Sequence, residues 1–274
     1  MRRTTKKLLK PLWKALDLGS KVGICLEPDP ETFTVVGTKV SAWRDKLGTG
    51  KLLSQATDAN RPLYVPNGLN GLPTMRTESN NFIVSGTINL LNNVSGGTIL
   101  AIFKYPSATF ASNTPILSVT TSVNGSRMVL TPNNGATNRF GIRGRRLDSD
   151  SALSVASSTS STGFVNSWVM QCGNIDYANA KANHWTNGVQ DMNNVTFLSA
   201  GNTTSSDSLG ISVLSFTDGT GNAPNGTEIS TAFVISATLT NTEREKLEWY
   251  ATYRLGLISN LLIDHPYKNR RVRR

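Results

Sequence analysis

From residue 20 onward the chain reads as short apolar or alternating runs, each ended by glycine, proline or an Asn-Gly pair. Such runs predict strands, because an extended backbone turns successive side chains to opposite faces. Val22–Leu26 comes first, followed by the rigid turn Glu27-Pro28-Asp29-Pro30. A short strand at Val40–Trp43 precedes turn signals at Lys46–Gly50 and Pro66–Gly71. Further along, the runs are Asn81–Val84, Gly97–Tyr105, Ile116–Thr121, Arg127–Thr131, Arg139–Arg143, Trp168–Asn174, Ala180–Thr186, Leu209–Phe216 and Ile229–Ser236. Asn187-Gly188 predicts a two-residue hairpin, since both residues readily take positive φ. Ser149–Gly163 has the Ser/Thr content of a linker. Strand patterning resumes on both sides of it, which favours a strand and loop on a solvated sheet face. Short strands at this spacing predict an all-β sandwich or barrel.

Two segments carry a helical period instead. Thr240-Asn241-Thr242-Glu243 forms a capping box, with Leu247, Tyr250, Ala251 and Leu255 on one face beyond it and Gly256 to close. This C-terminal helix should pack its stripe on the sandwich. Near the start, Leu8, Leu9, Leu12, Trp13 and Leu16 recur among lysines, and Pro11 is placed to open a short helix. The arm reads either as a basic amphipathic helix that docks on a partner or a membrane surface, or as a solvated tail.

Composition narrows the class. Of 274 residues 38% are apolar and 17% charged, enough to bury a large core in one domain. No run approaches the ~18 apolar residues of a membrane-spanning helix. The net charge of +10 looks like a nucleic-acid signal until it is located. Arg2, Arg3, Lys6, Lys7, Lys10 and Lys14 lie in the first fourteen residues; Lys268, Arg270, Arg271, Arg273 and Arg274 lie in the last seven. These ends hold 11 positive charges and no acid, which leaves the body at −1. A folded surface built to recognise nucleic acid would carry the basic stripe itself. The ends, with Leu12 and Trp13, are therefore candidate anchors to an acidic partner surface. The chain divides into a basic arm (1–19), a sandwich domain (20–267) and a basic tail (268–274).

Candidate chemistry is sparse. Cys25 and Cys172 are expected as free buried thiols. His184 and His265 lack the clustered neighbours of a metal site, and no metal ligand set is predicted. Glycoside cleavage needs two facing carboxylates, about 5 Å apart for retention. Glu27, Asp29 and Glu31 alternate, but Pro28 and Pro30 set them in a turn; Asp148 and Asp150 sit in a polar loop; Glu243, Glu245 and Glu248 belong to the helix. No catalytic residue is predicted. Trp43 is expected in the core and Asp45 as a turn cap. For glycan binding, the loop Asp218-Gly219-Thr220-Gly221-Asn222 has the composition of a lectin loop, and Trp185 offers a ring for stacking on a sugar. Calcium would suit such a loop, although no clear ligand set stands there. The cluster Arg139, Arg143, Arg145 and Arg146 either touches an acidic partner or guards a solvated edge.

Two segments carry a family resemblance. Val40-Ser41-Ala42-Trp43-Arg44-Asp45-Lys46-Leu47-Gly48-Thr49-Gly50, then Arg61-Pro62-Leu63-Tyr64 and Asn67-Gly68-Leu69-Asn70-Gly71-Leu72-Pro73, resembles the opening of laminin-G-like, concanavalin A-like domains. These are common in bacterial and bacteriophage surface proteins. Leu239-Thr240, Glu243-Arg244, Leu247-Glu248, Tyr250, Gly256-Leu257 and Asp264-His265-Pro266-Tyr267 are similar to that family's terminal helix and closing loop. Leu47 stands where the family usually has Ser, and Thr231 near a position often taken by Glu. The resemblance implies a two-sheet antiparallel jelly-roll sandwich of concanavalin A-like type, with one C-terminal α-helix and the short N-terminal basic arm. For function it implies a non-enzymatic bacteriophage virion protein, decorating the head or associated with the tail. Such a protein would be gripped by other virion proteins in a homo- or hetero-oligomeric assembly through its basic ends. The alternative is a tail-fibre adhesin that binds a host-surface glycan.

Overall fold

The computed structural model describes residues 15–106, 114–120, 125–133, 137–204 and 209–268. The arm residues Arg2 to Lys14 and the tail residues Arg270 to Arg274 lie outside these. The described strands are β1 (Val22–Leu26), β2 (Phe33–Val36), β3 (Lys39–Arg44), β4 (Leu52–Ser54), β5 (Leu63–Leu69), β6 (Leu72–Arg76), β7 (Ile83–Ser85), β8 (Gly96–Lys104) and β9 (Leu117–Thr120). They continue with β10 (Ser126–Thr131), β11 (Arg139–Gly144), β12 (Leu153–Ser160), β13 (Val169–Asp176), β14 (Lys181–Thr186), β15 (Val189–Thr196), β16 (Gly210–Val213) and β17 (Glu228–Ile235). A single α-helix among the described residues, α1 (Asn241–Arg254), follows β17.

Every described pairing is antiparallel. One layer runs β15-β14-β13-β8-β17, and β17 then pairs with β1 along one stretch and with β6 along another; β5 pairs with β6. The second layer runs β12-β11-β10-β9-β16-β7-β4-β3-β2. Lys39 of β3 meets Leu63 of β5, so the layers join at one side and the sheet curves back on itself. This is the expected all-β sandwich with a C-terminal helix.

The first layer is covered on both faces, which explains the unbroken apolar run of β8. Ile99, Ala101 and Phe103 face the second layer, together with Leu130, Phe140, Ile142 and Val213. Leu100 and Ile102 face the other way, towards Met170, Cys172, Phe233 and the α1 residues Leu247, Tyr250, Ala251 and Leu255. No described helix packs on the second layer, yet on its far side Ser118, Val129 and Ser212 are fully buried. The capping box is present: Thr240 Oγ1 accepts from the Glu243 amide, and the Glu243 carboxylate accepts from the Thr240 amide at 2.9 Å. The Asn187-Gly188 turn takes φ of 50° and 81°, as a type I′ hairpin requires.

Several strands went unread in the sequence. Both β5 and β6 contain proline, at Pro66 and Pro73, and the turn between them is confined to Asn70-Gly71, both at positive φ. Proline is tolerated because β5 lies at the margin of its layer, where a bulge between Val65 and Leu69 interrupts the ladder. Strand β12 occupies the Ser/Thr-rich stretch, with its outer side solvated as the strand reading had it.

Candidate binding site

The acidic turn after β1 is the base of a polar seam under α1. Glu27 is 2% exposed and accepts from the Tyr250 hydroxyl and from Cys25 Sγ at 3.6 Å, with Arg254 Nε at 3.6 Å. Asp29 takes Arg254 and, at 2.7 Å, Lys46. Burial raises the Asp29 carboxyl, but the hydrogen bonds from Lys46 and Arg254 outweigh it and hold the group below its ordinary value. Asp45 accepts from the Cys25 amide at 2.8 Å and from Thr49, so it caps its turn while Trp43 lies fully buried. Glu27 and Asp29 thus tie the first turn to the helix, while the exposed Glu31 pairs with Lys46.

The histidines are also structural ties. His184 Nδ1 lies 2.7 Å from Asp191, whose second oxygen accepts from Thr186 at 2.7 Å. His265 Nε2 lies 3.4 Å from Glu248, a fully buried carboxylate that also pairs with Arg244. Both cysteines are free and buried, as expected, and burial pushes both thiols up from their ordinary value. Among the described residues no group of three or more His, Cys, Asp and Glu side chains could hold a metal ion.

The sequence-predicted binding residues separate. Trp185 is corrected: it is 5% exposed, and the Arg244 guanidinium sits 4.5 Å from its ring centroid. Alternation along β14 turns that ring to the α1 side of the first layer, so it offers no face to a sugar. Lys268 is committed within the chain, donating to the carbonyls of Leu261 and, at 3.2 Å, Ser259. Asp218 and Asn222 do share one surface loop. Asp218 Oδ1 accepts from the Thr220 amide at 3.1 Å and its hydroxyl at 2.6 Å, and Asn222 Nδ2 donates to the Gly219 carbonyl at 3.0 Å. Asn222 Oδ1 is buried without a hydrogen-bond partner. The half-buried Phe82 ring lies against Gly219, where a Cβ would stand 2.8 Å away, so a polar loop and an aromatic side chain meet there.

On the side of the second layer turned away from the first, the central strands are covered: Val129, Ser118 and Ser212 are fully buried. Register aligns Ser154, Arg143, Val129, Ser118, Ser212, Val84 and Ser54 in one row across seven strands. Arg143 is the one long side chain in it. The arginines read together in the sequence take different parts. Arg145 and the fully buried Arg127 converge on Asp148, the latter at 2.6 Å, and Arg146 donates to Ser199 and to the Asn202 carbonyl at 3.0 Å. No described carboxylate pairs with Arg139 or Arg143.

The fold is an antiparallel β-sandwich with one C-terminal helix, and the Asp218–Asn222 loop beside Phe82 is its candidate site. No family model and no curated protein matches the chain. Solved structures do resemble it. The botulinum neurotoxin serotype G binding domain aligns at a TM-score of 0.57 and 16% identity, over 84% of this chain and 51% of that one. Domain 4 of AbnA, a GH43 extracellular arabinanase from Geobacillus stearothermophilus solved with arabinotriose, aligns at 0.56 and 12%, over 81% of this chain and 96% of that one. Trypanosoma rangeli sialidase with difluorosialic acid aligns at 0.54 and 11%, over 85% and 33%. The chain therefore spans about half of the neurotoxin chain and a third of the sialidase chain. At these identities the likeness is one of fold.

Proposed function

We propose that the chain is a non-enzymatic recognition module: a lectin-like sandwich that binds carbohydrate and is held by its basic ends in a larger assembly, a bacteriophage virion. The observation that carries this reading is the partition of charge. A body of net −1 sits between ends holding 11 positive charges, so electrostatic attachment falls to the ends and leaves the sandwich free to recognise something else. The carbohydrate part draws support from the arabinanase domain, whose whole length has this fold and whose structure contains arabinotriose. The Asp218–Asn222 loop beside Phe82 supplies polar groups next to an aromatic face, the pairing by which sugars are generally held. The virion part draws support from the resemblance of the Val40–Gly50 and Leu239–Tyr250 segments to phage surface domains.

Deleting residues 1–14 and 269–274 tests the anchoring. Incorporation into purified virions should fall by at least about tenfold, with the losses largest at low salt, where screening is weakest. Undiminished incorporation would remove the anchoring role. On a glycan array, the full chain should retain at least one class of saccharide, and an empty array would remove the carbohydrate role.

A further inference from the structure

Trp185 lies beneath Arg244 of α1, and two residues back on the same face of β14 stands Asn183, half-buried. Its neighbours are carboxamides too. Register sets Asn174 of β13 directly beside it. On its other side the β14–β15 ladder is irregular, so Asn193 and Asn194 both fall against Asn183, between the paired positions Met192 and Val195. Asn194 takes φ of 49°, a conformation that asparagine tolerates, and its amide donates to Asn183 Oδ1 at 2.8 Å. Irregularities of this kind re-aim side chains and recur beside functional sites. Gln190, opposite Trp185, completes the group. Gln190, Asn193 and Asn194 are exposed, so the group forms a surface.

Hydrogen bonds among these amides fix which groups face outward. Gln190 Nε2 donates to Asn183 Oδ1 at 3.3 Å and to Asn193 Oδ1 at 3.2 Å, and Asn183 Nδ2 donates to Asn194 Oδ1 at 3.4 Å. The Gln190 side-chain carbonyl and the Asn193 and Asn194 NH2 groups have no partner among the described residues. The exposed platform therefore offers one carbonyl acceptor beside two NH2 donors. Asn174 Oδ1 is buried without a partner, and Asn183 Nδ2 belongs to the residue directly opposite it, where Cβ atoms stand about 5 Å apart. A ligand hydroxyl that donates to Asn194 Oδ1 releases Asn183 Nδ2 for that buried oxygen, which relieves the cost of leaving it unmet.

We propose that this amide platform is a subsite for a neutral saccharide, with adjacent sugar hydroxyls spanning Gln190 and Asn193. The inference rests on the carbohydrate-binding reading above and names a second place of contact and the ligand class. A hydroxyl both donates and accepts, so two neighbouring hydroxyls satisfy a carbonyl and an NH2 group together. A carboxylate or sulfate only accepts, and leaves the Gln190 carbonyl unmet. None of the five side chains is charged. Further along the same face of β14 stands Lys181, and Asp176 is directly opposite it. The amides hold one another in place before a ligand arrives, so less side-chain freedom is lost on binding. The Asp218–Asn222 loop follows β16 of the second layer, so the two sites are separable by substitution.

The test is an NMR titration of the full chain, labelled with nitrogen-15, using arabinotriose, maltotriose and cellotriose, with trigalacturonate as the acidic comparison. The side-chain NH2 signals of Gln190 and Asn193 are identified by their loss in Gln190→Ala and Asn193→Ala. In the parent chain they should shift saturably with at least one neutral trisaccharide. The variant Gln190→Ala/Asn193→Ala should bind that trisaccharide at least about tenfold more weakly while keeping the parent's melting temperature. Asp218→Ala/Asn222→Ala should leave the Gln190 and Asn193 shifts in place. Neutral trisaccharide binding that survives the platform substitutions undiminished overturns the inference and leaves the carbohydrate reading standing. Trigalacturonate that moves the same two signals at equal or lower concentration does the same. If none of the four saccharides shifts any signal of the chain, both readings fall together.

Discussion

At Gly188 two demands meet on one residue. The hairpin between β14 and β15 needs φ of +81° there, and an added Cβ would lie 3.0 Å from His265 Cδ2 and 3.4 Å from a Leu261 methyl. Gly188→Ala should therefore cost about 1–2 kcal/mol for the left-handed backbone alone, with further loss as the closing loop is pushed from the hairpin. Urea unfolding with an unchanged midpoint would show that the turn relaxes freely. The sequence announced the hairpin through Asn187-Gly188 but was silent on the second constraint, because His265 is 77 residues away. The same distance explains Trp185: an aromatic residue next to a turn reads as an exposed platform, and only the helix folded over it makes it core. Asp218 and Asn222 were legible because their partners, Thr220 and Gly219, lie within three residues. Arg139 and Arg143 were seen as part of a charged cluster. Which arginines of that cluster lack a carboxylate depends on Asp148 meeting Arg127 across 21 residues, and local spacing carries no sign of that.

The element that shows most clearly how stability is distributed is α1. Its start is set locally by the Thr240–Glu243 box, so it could be read from four residues. Its seat on the sandwich depends on the turn after β1, more than 200 residues earlier. Burial, and then the neighbouring Glu27 carboxylate, raises the Tyr250 phenol, which stays a donor to Glu27 at all ordinary pH. Tyr250→Phe keeps the ring against Phe233 but removes that donor and leaves a buried carboxylate with weaker partners. The expected loss is about 1–3 kcal/mol by chemical denaturation. A variant as stable as the parent would mean that Arg254 and Cys25 suffice for Glu27. The strands β5 and β6 teach the reverse lesson. Pro66 and Pro73 argue against a strand on propensity, and marginal position in the layer overrides them.

Across the whole molecule, acid should loosen the seams before the core. Asp29, Asp191 and Glu243 each have burial working to raise the carboxyl. In each case hydrogen bonds from ammonium, guanidinium, imidazole or hydroxyl donors (Lys46 and Arg254; His184 and Thr186; Lys21 and Thr240) prevail, so the folded pKa lies below the ordinary one. A carboxylate with a depressed folded pKa contributes its full stability above the unfolded value, near pH 4, and loses it as pH falls through the folded value. Urea midpoints should be level between about pH 5 and 6 and decline below about pH 4. A midpoint at pH 3 equal to that at pH 6 would show that these pairs contribute nothing net.

By itself the sequence determined the strand-rich class, the start of α1, the Asn187-Gly188 hairpin, the free thiols and the segregation of charge to the two ends. These follow from periodicity, capping and composition, which act over a few residues or over the whole sum. Only the tertiary structure decided which acids tie the first turn to the last helix, which tryptophan is covered, and which arginines converge on Asp148. Those outcomes rest on pairings between residues far apart in the chain. A buried charge must find its partner wherever the fold places one, and no local pattern records where that is.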